Sequence, residues 1–546
     1  MVIRRWLAVV LVAVSTTSGC GSPTARDQAG VWPATSTLAA EAAASGAAAA
    51  EQDAVVRFYT GRSGPAWIAA DGSMTPAGRE MTAALRAAAT EGLAPADYLP
   101  RGDIDGPARD GRATTARRDV AISLGALRYM HDLHLGRVDP RTIGLRLTAW
   151  DEPHDFVHLL AGAVADGDVS AMLDRLSPPF PIYRGLVGAL RRYRELAGAP
   201  PAPPAPRRTI EIGDALPGAT DLRARLAAFG DLTASGAMPV DTYDAATADA
   251  VAHFQRRHGI QADGRLGPRT IAALQVSPAD RAVQIVLALE RLRWLPDLGG
   301  RRTVAVNIPM FQLAAWEAGR LGEPPAFTMG VIVGRAAATE TPVFVETMDH
   351  LIFRPYWNVP PSILDGEVLP AVRKDPGYLA RERMEIVDGQ GDGASVVPET
   401  PAALEALAHG SLRVRQRPGR ANALGLVKFV FPNRESVYMH GTPATELFAR
   451  DRRDFSHGCI RVADPPRLAE WALQGVPGWT GARVAEAMAG ADNTRVDLAE
   501  PIDVVLFYLT AAIDPATGDV VFAEDIYGRD AVLARALEAP RQPPGE

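Results

Sequence analysis

Residues 440–462 read HGTPATELFARDRRDFSHGCIRV, and they hold Cys459, one of only two cysteines in 546 residues. A thiol attacks an acyl carbon well only as its thiolate, and a neighbouring imidazole both takes the proton and stabilises the anion. Two imidazoles are available. His440 closes the strand-like stretch SVYMHG, where Tyr438 falls on the same face because side chains repeat every second residue. His457 lies two positions before the cysteine, and spacing alone does not choose between the two as the base. Gly458 lets the chain turn sharply enough for the backbone N–H groups of Gly458 and Cys459 to face a developing oxyanion.

Working outward, the stretches RRTVAVNIPMFQLAAWEAGR, FTMGVIVG, TPVFVETMDHLIFRPYW, GLVKFVF and PIDVVLFYLTAAID are rich in β-branched and aromatic residues between Gly and Pro punctuation. They predict a mostly β domain over 301–530. An insertion at about 357–425, helical and basic in DGEVLPAVRKDPGYLARERM, is expected to fold over the site. Upstream, ADRAVQIVLALERLRWLP predicts a connecting helix within 277–300, and 211–276 reads as three short helices with a Gly-rich turn before the last. AGAPPAPPAPRR marks a stiff linker at 198–210, and 53–197 is mainly helical by its three- and four-residue apolar spacing. Alanine-rich 21–52 reads as a flexible tether and 531–546 as a C-terminal tail. The fold class is multidomain α+β.

The N-terminus, MVIRRWLAVVLVAVSTTSGC, has a basic pair and an apolar run too short to span a bilayer, which predicts export. Its end at Cys20 resembles a bacterial lipobox, so Cys20 is the expected lipidation site and the cell envelope or periplasm the expected location, the outer membrane being favoured in a Gram-negative cell. Cys459 would then be an unpaired thiol in an oxidising compartment, either buried and inert or retained for its chemistry. A net charge of −7 argues against a nucleic-acid partner. His131/His134 and His154/His158 have helix-face spacing, but no third ligand or HExxH glutamate accompanies them, so no metal or cofactor is expected.

His440 followed at its interval by Ser456-His457-Gly458-Cys459-Ile460-Arg461-Val462 resembles the signature of the L,D-transpeptidase (YkuD) catalytic domain. PYWNVPPSI, RPGRANALGLVKFVFPN, VYMHGTP and DIYGRD resemble its large YcbB-like subgroup with scaffold and cap, while AVAHFQRRHGIQADGRLGPRTIAAL resembles the peptidoglycan-binding three-helix domain. The resemblance implies Cys459 as nucleophile, His440 as base, Gly441 orienting that base through its carbonyl, and His457 as a site-shaping residue. It implies transfer between peptidoglycan stem peptides: a tetrapeptide donor loses D-Ala, and a neighbouring stem accepts the acyl group to give a diaminopimelate-to-diaminopimelate cross-link. The membrane would be met only through the lipid.

Gly441 stands where the family commonly has Asp, Arg461 where it often has Asn, and Arg354 where Asn precedes PYW. Tyr356, Trp357, Tyr438 and Arg461 are expected at the substrate groove. Arg415, Arg417 and Arg420 would either grip stem carboxylates or lie in a solvated loop. The same acyl-enzyme would also serve an L,D-carboxypeptidase or a lipoprotein-anchoring transferase, and a non-catalytic wall-binding lipoprotein would not need the thiol.

Overall fold

The computed structural model describes residues 32–541 apart from 70, 100–111, 148–152, 199, 201–205 and 234–240. Cys20 and the expected leader lie outside the described residues. The helical region starts earlier than expected: α1 (Thr35–Ala44) and α2 (Ala49–Tyr59) occupy the later part of the stretch assigned to a tether. Leu38 and Ala42 of α1 are wholly buried. They pack with α2 and with α3 (Pro76–Ala87), α4 (Arg112–Leu135), α5 (Phe156–Asp166) and α6 (Val169–Leu176) in one core. A low-contrast alanine helix of this kind is stabilised by tertiary packing rather than by its own pattern. Buried Asp119 on α4 accepts hydrogen bonds from the backbone N–H groups of Ala66, Trp67 and Ile68 and from the Tyr59 hydroxyl, tying the loop after α2 to the bundle.

His131 and His134 take structural partners: His131 bonds Asp132, and His134 bonds the Leu176 carbonyl and meets the His154 ring edge-on. Helix α7 (Pro181–Glu195) leaves this bundle. The small unit is α8 (Ala219–Phe229), α9 (Ala245–Arg257) and α10 (Pro268–Gln275). Gln255 staples its turn, donating to Asp263, the Arg265 carbonyl and Thr270 while accepting from Gly264 N–H.

Helix α11 (Pro278–Arg293) joins the helical units to the β domain, packing Ile285, Ala288, Leu289 and Leu292 against Tyr183, Leu186 and Leu190 of α7. At its end Glu290 and Arg293, each 1% exposed, pair at 3.1 Å. Glu290 also accepts from Val138 N–H, and Arg293 donates to the Tyr183 hydroxyl and the Glu91 carbonyl. Removing one member of such a pair strands the other charge. Glu290→Ala is therefore expected to destabilise the protein by about 3–5 kcal/mol, measured as a lowered denaturation midpoint against wild type.

The β domain contains β1 (Thr303–Asn307), β2 (Gln312–Trp316), β3 (Phe327–Gly334) and β4 (Phe344–Phe353). The cap strands follow: β5 (Trp357–Asn358), β6 (Met384–Asp388), β7 (Ser395–Val397) and β8 (Arg413–Gln416). Then come β9 (Val427–Val430), β10 (Met439–His440), β11 (Asp454–Ser456), β12 (Ile460–Val462), β13 (Thr494–Phe507), β14 (Ala511–Ile513) and β15 (Val520–Phe522).

The main sheet has the order β11-β3-β12-β10-β9-β4-β13-β1-β2, and pairing of β2 with β3 closes it into a barrel-like ring. Alternation sends Val304, Leu313, Val331, Leu351, Phe429, Met439, Ile460 and Val504 into its core. Their neighbours Lys428, His440 and Arg461 therefore face outward. The cap strands form a separate sheet, β5-β8-β6-β7, with a core of Val359, Leu364, Val368, Ile386, Leu407 and Val414.

Residues 531–541 do not form the expected tail. Arg529–Glu538 is a helix whose Leu533 is wholly buried in the barrel core, and beyond it Arg541 pairs with Asp132 and Glu51 of the helical bundle.

Candidate active site

Strands β10 and β12 run parallel, with Met439 opposite Ile460 and His440 opposite Arg461. Ile460 N–H bonds the Tyr438 carbonyl, so Cys459, one residue before the strand, stands beside Tyr438. Tyr438, His440, Cys459 and Arg461 thus share the outer face. Antiparallel β9 adds Lys428 directly opposite His440.

His440 is 4% exposed, and its Nδ1 lies 2.5 Å from the Gly441 carbonyl. A carbonyl only accepts, so Nδ1 carries the proton and the Nε2 lone pair is the basic site. Burial, reinforced by the Arg461 and Lys428 charges, holds the imidazole pKa down to about 3. Gly425, at φ +65°, lies so close over Gly441 that a Cβ there would come within 2.7 Å of the Gly441 carbonyl carbon. A Cβ at Gly441 would itself stand 3.3 Å from the Pro465 side chain, a tight contact.

Cys459 is free and partly exposed. Its sulfur lies 3.9 Å from the Ser436 carbonyl, and among the described residues no hydrogen bond joins it to an imidazole. Burial pushes the thiol pKa up, while Tyr438, Lys428 and Arg461 pull it back. The resting pair is therefore neutral thiol and neutral imidazole. The pH dependence follows from these signs. The imidazole is already unprotonated above about pH 3, and the thiol sits above its ordinary value of 9.0. Alkylation of Cys459 by iodoacetamide should rise continuously from about pH 6 to about pH 9 with no step near the ordinary histidine pKa. A rate already flat below neutral pH would indicate a preformed thiolate–imidazolium pair instead.

The loop before the cysteine differs from expectation. Gly458 adopts φ +110°, but its N–H donates to Ser456 Oγ at 3.2 Å, so it is not free to face an oxyanion. Ser456 Oγ in turn donates to the Cys459 carbonyl at 2.6 Å, and Thr341 donates to the Gly458 carbonyl. Ser456 is the staple of this turn.

His457 is exposed and points to the cap, where Nε2 meets Glu367 Oε1 at 2.8 Å. Glu367 lies in a π-helical turn, Leu364–Val368. An exposed pair contributes about 1 kcal/mol or less. Glu367→Gln should raise hydrogen exchange over the cap helices while leaving the melting midpoint nearly unchanged; unaltered exchange would show that the bridge does not hold the cap.

The remaining expected groove residues belong mainly to the cap. Arg415 is buried, bonds Glu385 at 2.7 Å and the Asp392 carbonyl, and stacks over Tyr356 at 4.2 Å. It is an internal strut, neither a solvated loop residue nor a carboxylate grip. Arg417, exposed, lies 3.9 Å from the same Glu385, and Arg420 is exposed. Trp357 is half-buried against the cap core. Lys428 was missed from the sequence, although it is one of two lysines among 57 basic residues; the signal was its place on the strand next to His440. A cleft of about 760 Å³ opens elsewhere, between the three-helix unit and the barrel near His258, Trp316 and Phe522, away from the sulfur.

Residues 301–485 match the L,D-transpeptidase catalytic domain (YkuD), 53–190 a scaffold domain and 217–274 the "Putative peptidoglycan binding domain". A Haemophilus influenzae protein named "Putative L,D-transpeptidase" is 33% identical over 248 residues, 45% of this chain and 48% of the relative. The chain thus aligns with about half the length of that curated relative. The solved L,D-transpeptidase from Xylanimonas cellulosilytica matches 56% of this chain and 100% of its own at 19% identity, with a TM-score of 0.15.

Proposed function

From a chain that carries an L,D-transpeptidase catalytic domain at residues 301–485, we infer a peptidoglycan L,D-transpeptidase that forms diaminopimelate-to-diaminopimelate cross-links through a cysteine acyl-enzyme. The observation that supports this reading best is the outer barrel face, where His440 on β10, its Nδ1 bonded to the Gly441 carbonyl, neighbours Cys459 just before the adjacent parallel strand β12. Cys459 sulfur attacks the carbonyl of the third stem residue as its proton passes to His440 Nε2. The amide C–N bond breaks, the leaving D-Ala nitrogen takes that proton, and a thioester remains. A side-chain amine of a neighbouring stem then attacks the thioester, forming the new amide and restoring the thiol. With the Gly458 N–H engaged by Ser456, the Cys459 N–H is the amide left to stabilise the oxyanion from this turn.

The three-helix unit would hold the wall polymer near the site. Lipid attachment at Cys20 would keep the enzyme at the cell envelope. Mass spectrometry of muropeptides from cells expressing the full chain tests the assignment. New cross-links between diaminopimelate residues are expected; shortened tripeptide stems without them would indicate a carboxypeptidase, lipoprotein-linked stems an anchoring transferase, and unchanged muropeptides a wall-binding protein.

A further inference from the structure

Strand register places one row of side chains across the outer face. Ile352 on β4 stands opposite Lys428, Lys428 opposite His440, His440 opposite Arg461, and Arg461 opposite Ile332 on β3. A neutral imidazole is thus flanked on both sides by a cation. Neither cation has a carboxylate within ion-pair distance among the described residues, whereas the buried Arg257, Arg291 and Arg415 each do. Lys428 Nζ rests 3.8 Å from the Tyr438 ring centre, and Asp392 of the cap acts on it only at a distance. Arg461 Nε is buried with no hydrogen-bond partner. Two partly buried, uncompensated cations are unfavourable, and an anion between them would offset that.

The reaction indicates which anion. If the acyl-transfer reading holds, His440 hands its proton to the leaving nitrogen, which must therefore sit at Nε2. In a C-terminal leaving residue the carboxylate carbon is only two bonds from that nitrogen. It must lie beside His440, and the side chains beside His440 are Lys428 and Arg461.

We propose that Lys428 and Arg461 form a receptor for the α-carboxylate of the leaving residue, restricting the enzyme to donors whose chain ends one residue past the scissile bond. This rests on the acyl-transfer function proposed above and adds a specificity determinant to it. A donor with a further residue would present a neutral amide where the carboxylate belongs. Lysine suits this position because its ammonium is compact and donates in any direction, whereas arginine imposes a planar fork.

The test compares release of the C-terminal residue from two tetrapeptide donors, one ending in a free carboxylate and one in a carboxamide, using full-length protein. Wild type should prefer the acid by about ten- to a hundredfold in kcat/KM, the usual effect of losing a hydrogen bond to a charged group. The ratio should fall toward one in Lys428→Met and in Arg461→Gln, be partly retained in Lys428→Arg, and shrink with rising salt in wild type. Thermal melting reports whether each variant keeps its fold, since Lys428 and Arg461 themselves bear on the reactivity of the Cys459 thiol. If a variant does not fold, the wild-type acid-to-amide ratio and its salt dependence still decide. Equal use of acid and amide by wild type overturns the receptor while leaving the acyl-transfer reading standing, and so does a ratio that survives in both variants. No release from either donor overturns the acyl-transfer reading and the receptor with it.

Discussion

Cys459→Ala should release no D-Ala from a tetrapeptide donor above background. Cys459 is the only free cysteine among the described residues, and it stands beside Tyr438 on the outer face. Cys459→Ser is a sharper test, because it keeps a nucleophilic atom and nearly the same volume. A hydroxyl is a far weaker acid than a thiol, and this site already disfavours the anion, pushing the thiol pKa above its ordinary value. The serine variant should therefore lose about four orders of magnitude or more in kcat. Unchanged melting behaviour would show that chemistry and not folding was lost. D-Ala release by the serine variant within tenfold of wild type would mean that the sulfur is not the attacking atom.

The second large effect is expected at His440. Removing a general base that also protonates the leaving group lowers kcat by about 10²–10⁴-fold. His440→Ala should show this loss with little change in KM, and its residual rate should climb with pH, since hydroxide must then take the proton. The substitution also leaves the Gly441 carbonyl without its buried donor. His440→Gln, which can return an N–H to that carbonyl, separates structure from chemistry: it should recover stability but not rate. Recovery of both would make His440 a positioning residue only.

Much of this arrangement was legible in the sequence, and what was missed has physical reasons. The alternation around Tyr438, Met439 and His440 and the turn before Cys459 are local patterns, so a reader can place them on a strand and a loop without the fold. The multidomain α+β class, with helices first and sheet last, follows from the change in apolar period near residue 301. The α1 helix was hidden because an alanine-rich segment carries almost no contrast between faces, and only Leu38 and Ala42 bury fully. The closing segment looked like a tail because Arg541 finds its partners Asp132 and Glu51 at the other end of the chain.

Contacts across long separations were equally invisible. His457 meets Glu367 across the cap boundary, Arg415 turns inward to Glu385, and Lys428 joins the site only through the β9–β10 register. Gly458 shows a different limit. The sequence correctly called for a residue tolerant of positive φ, but it could not reveal that Ser456 Oγ engages the freed N–H.

The central claim is that the Cys459 sulfur becomes acylated by a stem-peptide donor. Intact-protein and peptide mass spectrometry after brief exposure to a tetrapeptide donor measures this directly. The account predicts an adduct equal to the donor minus D-Ala, labile to hydroxylamine as a thioester should be, on the peptide containing Cys459 and absent from Cys459→Ala. D-Ala release with no adduct on that peptide, or an adduct that persists in the alanine variant, would contradict it.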